Sequence, residues 1–372
     1  MAWNRTLELL DPRDPRVEST WRELERAAHP SYFQSWPWVA NWLSVLPVDR
    51  TPRVGVLREH DLPVAAFLLG HRRLRRHGLL TSDAWYFNAS GWTRHDERCA
   101  LHNGLLAATG ARRSLAELIA LLPAGWDELY LPAVDRYAFD DLGGPRARRA
   151  GYEVAIDREE AAPFVDLDAV RAVGYGELIG PSARAQLRRA RELAGEVSLE
   201  VAHDAHHALD IYGELLRLHA RWHVSRGTRG AFADPWFEQL HRRLIVARAA
   251  HGDVQLVRVR ARGETLGCLY NLVARDRVTF YRAALATFDP ARWRPDLVCH
   301  AAAIEHAARA GHAIYDLVGS RLEDRRPLAT GAHRLVWLRV HRAALRFTVE
   351  DALRRARDAL AATPARRALG TG

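Results

Sequence analysis

Lysine is absent from this sequence. All 54 of its basic residues are arginine, set against 45 aspartate and glutamate residues, so the formal net charge is +9. Two interpretations stay open: a coding bias that favours arginine and alanine, or an enzyme that acylates lysine-like amines and presents none of its own. The arginines are scattered along the chain rather than gathered in one tail, which favours an anionic substrate or cofactor over DNA as the partner.

Cysteine is also scarce, and long apolar runs are missing. Cys99, Cys268 and Cys299 are widely spaced and form no CxxC motif, which argues against a disulfide framework or a structural zinc site. No apolar run approaches the roughly 18–20 residues that a membrane span needs. The first 14 residues carry charge and no apolar segment, which is unlike a signal peptide. We therefore expect a cytoplasmic protein without a membrane span.

One stretch, residues 252–319, has the pattern most typical of a small-molecule site. Its sequence predicts three strands at 254–259, 266–273 and 278–284, separated by the turn signals RGE and RDR. A proline-containing loop, an alanine-rich helix ending at Gly311 and a strand at 313–318 follow. We expect this strand–helix–strand order to place the ligand site.

The order of helix, two strands, helix and strand recurs in the two halves of the 372-residue chain. This recurrence predicts two related α/β units rather than one large sheet. The domain boundaries that we predict are 1–165, 166–348 and a C-terminal helix and tail at 349–372.

Several short strings resemble those of known acyltransferases. They are residues 87–91 (FNASG), 102–106 (HNGLL), 218–222 (LHARW) and 311–319 (GHAIYDLVG). Their order resembles that of the GNAT-like acyltransferases of the cellulose-biosynthesis (CelD) type. Residues 181–184 (PSAR) resemble the same helix in the related Fem-type peptidoglycan aminoacyltransferases.

This resemblance implies a fold and an activity. The fold is α/β (α+β): tandem GNAT-like domains, each a mixed, mostly antiparallel sheet flanked by helices, with the acyl-donor site in the second. The activity is transfer of an acyl group from acyl-CoA, or a similar thioester, to a primary amine of a small molecule or peptide. The amine attacks directly in a ternary complex, without a metal. An aminoacyl-tRNA donor of the Fem type and a catalytically silent CoA-binding module are the alternatives.

The loop and first helical turn at residues 292–297 are where the resemblance implies the donor diphosphate. Glycines usually form this cradle, whereas here the sequence is RWRPDL. We therefore expect arginine side chains and a helix N-terminus to bind the anion. The donor residues that we predict are Arg292, Arg294, Pro295, Asp296 and Leu297, joined by Arg184 and Arg188 of an arginine row at i, i+4 and i+7.

Acyl transfer to an amine needs a base, because a free lysine-like amine has a pKa near 10.4. His219 is one candidate, and Asp316 is another because a carboxylate in an apolar strand is costly unless it is paired. Pairing with Arg282 on the neighbouring strand is the structural alternative to a role of Asp316 in the site. Tyr281 is either a core residue or the acid that protonates the leaving thiol.

His219 and His223 have the one-turn spacing of metal ligands, but the glutamate of HExxH and a third ligand are missing, so we expect no metal. A GxSxG elbow and a Cys–His pair are also missing, which argues against a covalent acyl-enzyme. The substrate contacts that we predict are Trp222, Asn271, Arg282, Asn88 and Asn103.

Overall fold

The computed structural model describes residues 5–76, 80–96, 101–141, 151–286, 294–317 and 326–342. The predicted C-terminal helix at 349–372 lies outside these residues. The helices are α1 (Arg16–Ala27), α2 (Trp36–Val45), α3 (Thr93–Asp96), α4 (Leu115–Leu121), α5 (Leu167–Val173), α6 (Tyr175–Leu178), α7 (Pro181–Ala194), α8 (Ala205–Val224), α9 (Pro235–Arg248) and α10 (Pro295–Arg309). The strands are β1 (Arg5–Leu10), β2 (Arg53–Glu59), β3 (Leu62–Arg76), β4 (Leu80–Phe87), β5 (Leu106–Ala107), β6 (Glu128–Asp135), β7 (Tyr152–Asp166), β8 (Val197–Val201), β9 (Val254–Ala261), β10 (Glu264–Ala274), β11 (Arg277–Leu285), β12 (Ile314–Asp316) and β13 (Gly331–Arg342).

Local sequence signals set the starts of the helices that carry the site. Ser35 caps α2 by accepting a hydrogen bond from the Trp38 N–H, and a proline occupies the first turn, as the sequence predicts. Asp204 and Asp234 cap α8 and α9 in the same way. The start of α10 differs, because it has a proline but no side-chain cap. Its first N–H groups therefore donate no hydrogen bond to the side chain of the N-cap residue, Arg294.

The strands join in one mixed sheet in the order β1-β2-β3-β4-β6-β13-β7-β12-β11-β10-β9-β8, with β5 paired to β3 at the side. The α/β fold class, with mixed and mostly antiparallel strands flanked by helices, is confirmed. The expectation of two units in place of one large sheet is wrong in one respect. The two units exist, but they are joined edge to edge.

The two units have the same strand order. In the first, β1 to β4 are antiparallel neighbours and β4 pairs with β6 in parallel; in the second, β8 to β11 are antiparallel neighbours and β11 pairs with β12 in parallel. Two helices follow the first strand of each unit.

An exchange of strands closes both units. β7 follows the first unit in the chain but pairs with β12 of the second, whereas β13 follows the second unit and pairs with β6 of the first. β7 and β13 also pair with each other along almost their whole length, from Gly331 opposite Phe164 to Arg342 opposite Tyr152. Each unit is therefore completed by a strand that the other half of the chain supplies.

The exchange brings together in one apolar core the face of the first unit that α1 and α2 cover and the face of the second unit that α8 and α9 cover. Trp21 and Trp38 of the first unit belong to the same cluster as Tyr212, Tyr270 and Tyr281 of the second. On the other face of the sheet the two units keep separate apolar clusters. The shared core is consequently the place where side chains of both units can meet a common ligand.

Gly70 in β3 is a test of how tightly the first unit is packed. A Cβ atom at this position would lie 2.2 Å from the carbonyl oxygen of Ala89, a backbone atom that cannot turn away. We expect Gly70→Ala to lower the free energy of unfolding by about 1–3 kcal/mol, measured by urea denaturation. Gly176→Ala is the control, because a Cβ there meets nothing within 4 Å. Equal stability of the two variants would contradict this packing.

Candidate functional site

The second unit has an opening between β11 and β12. The two strands pair only from Arg277 to Thr279, opposite Ile314 to Asp316. β12 ends there, whereas β11 continues to Leu285. The two strands therefore stop pairing beyond Thr279, and the place where their pairing ends is an opening in the sheet.

In the first unit the corresponding opening is filled. β4 and β6 pair only over residues 84–86 and 128–130. Beyond them Asn103 donates from Nδ2 to the carbonyl oxygens of Phe87 (3.1 Å) and Pro132 (2.9 Å). Asn88 donates to Oδ1 of Asn103 (2.6 Å) and to the carbonyl of Gly104 (2.8 Å). These amides therefore hold a loop across the opening, and a substrate contact by Asn88 or Asn103 stays a prediction.

In the loop after β4 the hydrogen-bond donors are taken by a carboxylate of the protein itself, that of Asp96. The carboxylate of Asp96 accepts hydrogen bonds from the N–H and Oγ of Ser90 and from the N–H of Gly91, at 2.7–2.8 Å. Burial raises the pKa of Asp96 in spite of these hydrogen bonds. Since an internal carboxylate already takes these donors, this loop is a poor site for a donor phosphate.

At the start of α10 the predicted donor residues contact one another. Arg294 donates from Nε and Nη2 to the two carboxylate oxygens of Asp296, at 2.9 and 2.7 Å, and from Nη1 to Gln186 of α7. Pro295 begins the helix, and Leu297 is buried in the core. Arg292 lies outside the described residues. Asp296 therefore neutralises the arginine that we expect to bind the donor diphosphate.

The arginine row of α7 is partly engaged in the same way. Arg184 bonds to the carboxylate and the backbone carbonyl of Glu177, both at 2.8 Å. Arg191 pairs with Glu305 of α10 at 2.7 Å. Arg188 is the most exposed of the three, with 78% of its side chain accessible. Of this row, Arg188 is the most open to an anion from solution.

Asp316 is the charged group at the closed end of the β11–β12 opening, and it is completely buried. Its Oδ2 lies 2.7 Å from Nε2 of His102 and 2.7 Å from Nη1 of Arg277, whereas Oδ1 has no hydrogen-bond partner among the described residues. Burial favours a high pKa, but the nearness of His102 and Arg277 outweighs it and lowers the pKa of Asp316. The expected pairing with Arg282 is wrong: Arg277 is the arginine that meets this carboxylate.

His102 was not predicted as a site residue, although it lies in the string HNGLL. It comes from the first unit and reaches Asp316 of the second, so no spacing within one unit could indicate the pair. Its φ of 50° lies in the left-handed region, which is uncommon for a residue with a side chain. The backbone conformation at His102 is therefore maintained by its surroundings.

Tyr281 belongs to a second polar group on the same face of the sheet. It is the extra residue of a β-bulge, because Tyr270 pairs with Arg282 and Asn271 pairs with Phe280. Its hydroxyl lies 3.2 Å from Nε2 of His241, whose Nδ1 lies 3.2 Å from the hydroxyl of Tyr270.

His241 is fully buried, and this burial, followed by the charge of Arg282, holds its pKa well below the usual range. The imidazole is thus neutral and accepts from one tyrosine while donating to the other. His241 was not predicted as a site residue, because a lone histidine in an apolar helix is more typical of packing. Its partners come from β10 and β11, which are remote in the chain.

The remaining predicted residues have these positions. Asn271 accepts from the hydroxyl of Tyr315 at 3.2 Å, on the face opposite to His241. Arg282 lies with its guanidinium carbon 5.0 Å from the ring centre of Tyr281. Trp222 is 38% exposed beside Arg226.

His219 is covered by the loop that follows α8. Its ring lies 4.4 Å from that of His223 and 5.1 Å from that of Phe232. Gly230 packs directly on it, since a Cβ there would lie 2.0 Å from Cε1 of His219. Phe232 also contacts His241, with 6.0 Å between ring centres, and so links His219 to the tyrosine pair. A role for His219 as the base stays a prediction.

Within the described ranges no group of three or more His, Cys, Asp or Glu residues could hold a metal ion. In the same part of the chain no helix is long and apolar enough to span a bilayer.

Comparison with known proteins supports the fold. Residues 181–326, which include α7, α10 and the β11–β12 opening, match the sequence profile of the acetyltransferase (GNAT) domain family. No curated protein matches the chain.

Solved structures of similar fold cover nearly the whole chain. FemX has a TM-score of 0.55 at 12% identity and covers 87% of this chain and 95% of its own. The C-terminal domain of a putative lysylphosphatidylglycerol synthetase from Agrobacterium fabrum has a TM-score of 0.52 at 14% identity and covers 90% and 96%. A tandem GNAT protein from the clavulanic acid biosynthesis pathway has a TM-score of 0.46 at 12% identity and covers 92% and 99%. The similarities to FemX and to the synthetase domain show a common fold.

Removal of the Asp316 charge tests the buried ion cluster. We expect Asp316→Asn to lower the free energy of unfolding at pH 7 by about 3–5 kcal/mol, because Arg277 loses its buried counter-charge and His102 loses its carboxylate neighbour. The pKa of Asp316 is lowered in the folded protein, so its contribution is present above the unfolded pKa of about 3.9 and is lost as the pH falls below it. The difference between wild type and variant should therefore shrink at pH 3.

Asp168→Asn is the matched control, since this carboxylate is 73% exposed and also pairs with an arginine, Arg171. Its effect should stay below about 1 kcal/mol. A stability loss for Asp316→Asn no greater than that of the control would show that the buried cluster contributes nothing.

Proposed function

We propose that the protein is an N-acyltransferase that moves an acyl group from acyl-CoA, or a similar thioester, to a primary amine. The observation that carries the proposal is the opening between β11 and β12, inside the segment that matches the GNAT profile. In this proposal the thioester lies in the opening beside β11, where backbone N–H groups stabilise the developing oxyanion. The phosphates lie toward α10.

The reaction is a direct displacement. The neutral amine attacks the thioester carbonyl, a C–N bond forms, the C–S bond breaks, and the thiolate leaves. One proton must leave the amine and one must reach the thiolate. We assign removal of the amine proton to Asp316 with His102, or to His219. We assign protonation of the thiolate to Tyr281, whose hydroxyl proton can be replaced through His241 and Tyr270.

The transfer is tested by incubating the purified full-length protein with radiolabelled acetyl-CoA and longer acyl-CoA esters, together with a panel of primary amines and peptides. We expect a labelled amide product. If the protein neither binds CoA nor transfers label to any amine, the proposal fails. CoA binding without turnover would point instead to a silent CoA-binding module.

An aminoacyl-tRNA donor is the second candidate. The specific observation in its favour is the carboxylate of Asp296 beside the start of α10, where the diphosphate of CoA would need positive charge. The net charge of +9 and the likeness in fold to FemX are consistent with it. Binding to tRNA that weakens steeply with salt, in the absence of CoA binding, would favour this candidate.

The ion pair between Arg294 and Asp296 makes the position of the diphosphate testable. We expect Asp296→Ala to release Arg294 for the phosphates and to lower the dissociation constant for CoA by about tenfold, measured by titration calorimetry. Arg294→Gln should raise it. Asp14→Ala is the matched control, because Asp14 holds Arg16 in a similar two-bond pair in the first unit. If neither Asp296→Ala nor Arg294→Gln changes the dissociation constant for CoA, the diphosphate lies elsewhere.

Paired variants distinguish the role of the Tyr281 hydroxyl from that of the Tyr270 hydroxyl. Tyr281→Phe and Tyr270→Phe each remove one hydroxyl that lies 3.2 Å from His241. If Tyr281 protonates the thiolate, its variant should lose about 100-fold in kcat with little change in KM, whereas Tyr270→Phe should lose only a few-fold. Equal losses in the two variants would assign both hydroxyls to packing.

A further inference from the structure

We propose that the end of α8 and the loop after it form a docking surface for an acidic carrier protein, which delivers the acyl group as a thioester on a pantetheine arm. The surface, here called the arginine segment, consists of residues 217–229. It carries Arg217, Arg221, Arg226 and Arg229. The inference rests on the proposed acyl transfer for the chemistry of the donor, whereas binding of the carrier protein is measured without it.

Most of the arginine segment projects from the core. The buried residues of α8 end at Leu218, but the helix continues to Val224, so its last six residues extend about 9 Å beyond the last buried one. All four arginines are exposed. Arg217, Arg221 and Val224 have the spacing i, i+4 and i+7 and therefore share one face of the helix. Val224 is 78% exposed, which adds an apolar contact to this face.

The charge of the arginine segment is not neutralised by nearby carboxylates. Residues 215–233 contain no aspartate or glutamate, and none of the four arginines forms a salt bridge with a carboxylate of the described residues. Arginines of the neighbouring elements differ, because Arg242 pairs with Glu238 and Arg258 pairs with Glu214. A group of like charges without counter-charges favours a partner of opposite sign.

The loop half of the segment has a fixed shape. The Thr228 N–H donates to the His223 carbonyl at 3.0 Å, and Nδ1 of His223 lies 2.8 Å from the Thr228 hydroxyl oxygen. The guanidinium of Arg226 lies 4.1 Å from the ring centre of Trp222, the only exposed tryptophan in the described part of the chain. The arginines are thus presented on an ordered surface, and ordered arginine and tryptophan side chains are enriched at the centres of protein interfaces.

The apolar side chains of the segment favour a protein over a bilayer or a nucleic acid. Trp222 and Val224 are two residues apart in a helix, so they point to different sides and form no common apolar face for insertion into lipid. Val224 lies on the face of Arg217 and Arg221, where the phosphates of a nucleic acid would leave it without an apolar contact. An acidic protein surface offers both carboxylates and apolar side chains.

The start of α10 suits a carrier-bound thioester better than free CoA. The diphosphate of CoA needs positive charge, but Asp296 already binds Nε and Nη2 of Arg294, and the sequence RWRPDL has no glycine cradle. On a carrier protein the pantetheine arm is joined through a single phosphodiester, and the protein surface supplies the remaining affinity. The feature that weakens the site for CoA therefore does not oppose this donor.

Packed rings connect the arginine segment with the proposed reaction site. The ring of His219 lies 5.1 Å from that of Phe232, Phe232 lies 6.0 Å from His241, and His241 lies 4.9 Å from Tyr281. Tyr281 is on β11, the strand beside the opening. From a carrier docked at the end of α8, the arm enters the opening on this face. After the C–N bond forms and the C–S bond breaks, the thiolate takes a proton and stays on the arm.

Docking is tested with the acidic acyl carrier protein of bacterial fatty-acid synthesis, carrying its pantetheine arm, and the full-length protein in titration calorimetry. We expect binding that weakens as the ionic strength rises from about 0.05 to about 0.5 M. The double variant Arg217→Glu/Arg221→Glu should raise the dissociation constant at least about tenfold. Arg13→Glu/Arg26→Glu is the matched control, because it changes the net charge equally at exposed arginines of the first unit.

Arg226→Gln/Arg229→Gln is a second variant, placed in the loop in case the helix variant does not fold, and should raise the dissociation constant at least about threefold. Absence of binding to the wild type, or an equal loss in the control, would overturn the proposal. So would binding of tRNA, or of vesicles of anionic phospholipid, that the segment variants lose while the carrier protein does not bind.

Delivery is tested by comparing kcat/KM for the same acyl group on the carrier protein, on CoA and on free pantetheine. We expect the carrier-bound thioester to exceed the CoA ester at least about tenfold, and Arg217→Glu/Arg221→Glu to remove this preference without changing the value for acyl-pantetheine. If the CoA ester is as good a donor, the carrier proposal is wrong and acyl transfer stands. If the carrier binds at the segment but no donor supports transfer, the docking surface stands and the proposed function fails.

Discussion

The buried carboxylate of Asp316 is the constraint around which the junction of the two units is arranged. A charge without access to water is tolerated only when opposite charges and hydrogen bonds surround it. Here the compensation comes from both halves of the chain, Arg277 from the neighbouring strand and His102 from the first unit. The second unit alone could not satisfy this group, so the position of the first unit is fixed by an electrostatic requirement as well as by apolar packing.

The exchange of β7 and β13 provides the geometry that this requirement needs. Because each strand completes the sheet of the other unit, the faces covered by α1 and α2 and by α8 and α9 share one apolar core. The core contains the tyrosines around His241 on one side and the tryptophans of α1 and α2 on the other. The two units have the same framework but differ at the opening: in the first, two amides and a carboxylate occupy the opening and its loop, whereas in the second β11 continues beyond the end of β12.

The sequence was sufficient for those features that depend on neighbours in the chain. The hairpins of β9, β10 and β11, the cap at Ser35 and the proline at the start of α10 all follow from short patterns of turn, capping and apolar residues. The order of the elements added the recurrence of units, and the resemblance to GNAT-like enzymes added the type of fold, but the CelD type remains a resemblance.

Pairings across the chain could not be predicted. Arg277 and His102 meet Asp316, and His241 meets two tyrosines, only because the strand exchange brings distant segments together. A pattern in one segment indicates that a carboxylate is buried; it does not indicate which arginine is near. For the same reason the sequence suggested Arg294 as an anion ligand, whereas its nearest carboxylate, two residues away, binds it in the folded chain.

The strand exchange has a consequence for biosynthesis. During translation the first unit reaches β6 while its closing strand, β13, is about 200 residues from being made, because β6 ends at Asp135 and β13 ends at Arg342. Until then the outer edge of β6 lies open, and an open strand edge is a template for wrong pairing. The nascent chain must therefore keep that edge covered or delay the formation of the first sheet, and the first unit can complete its sheet only after the second unit has been made.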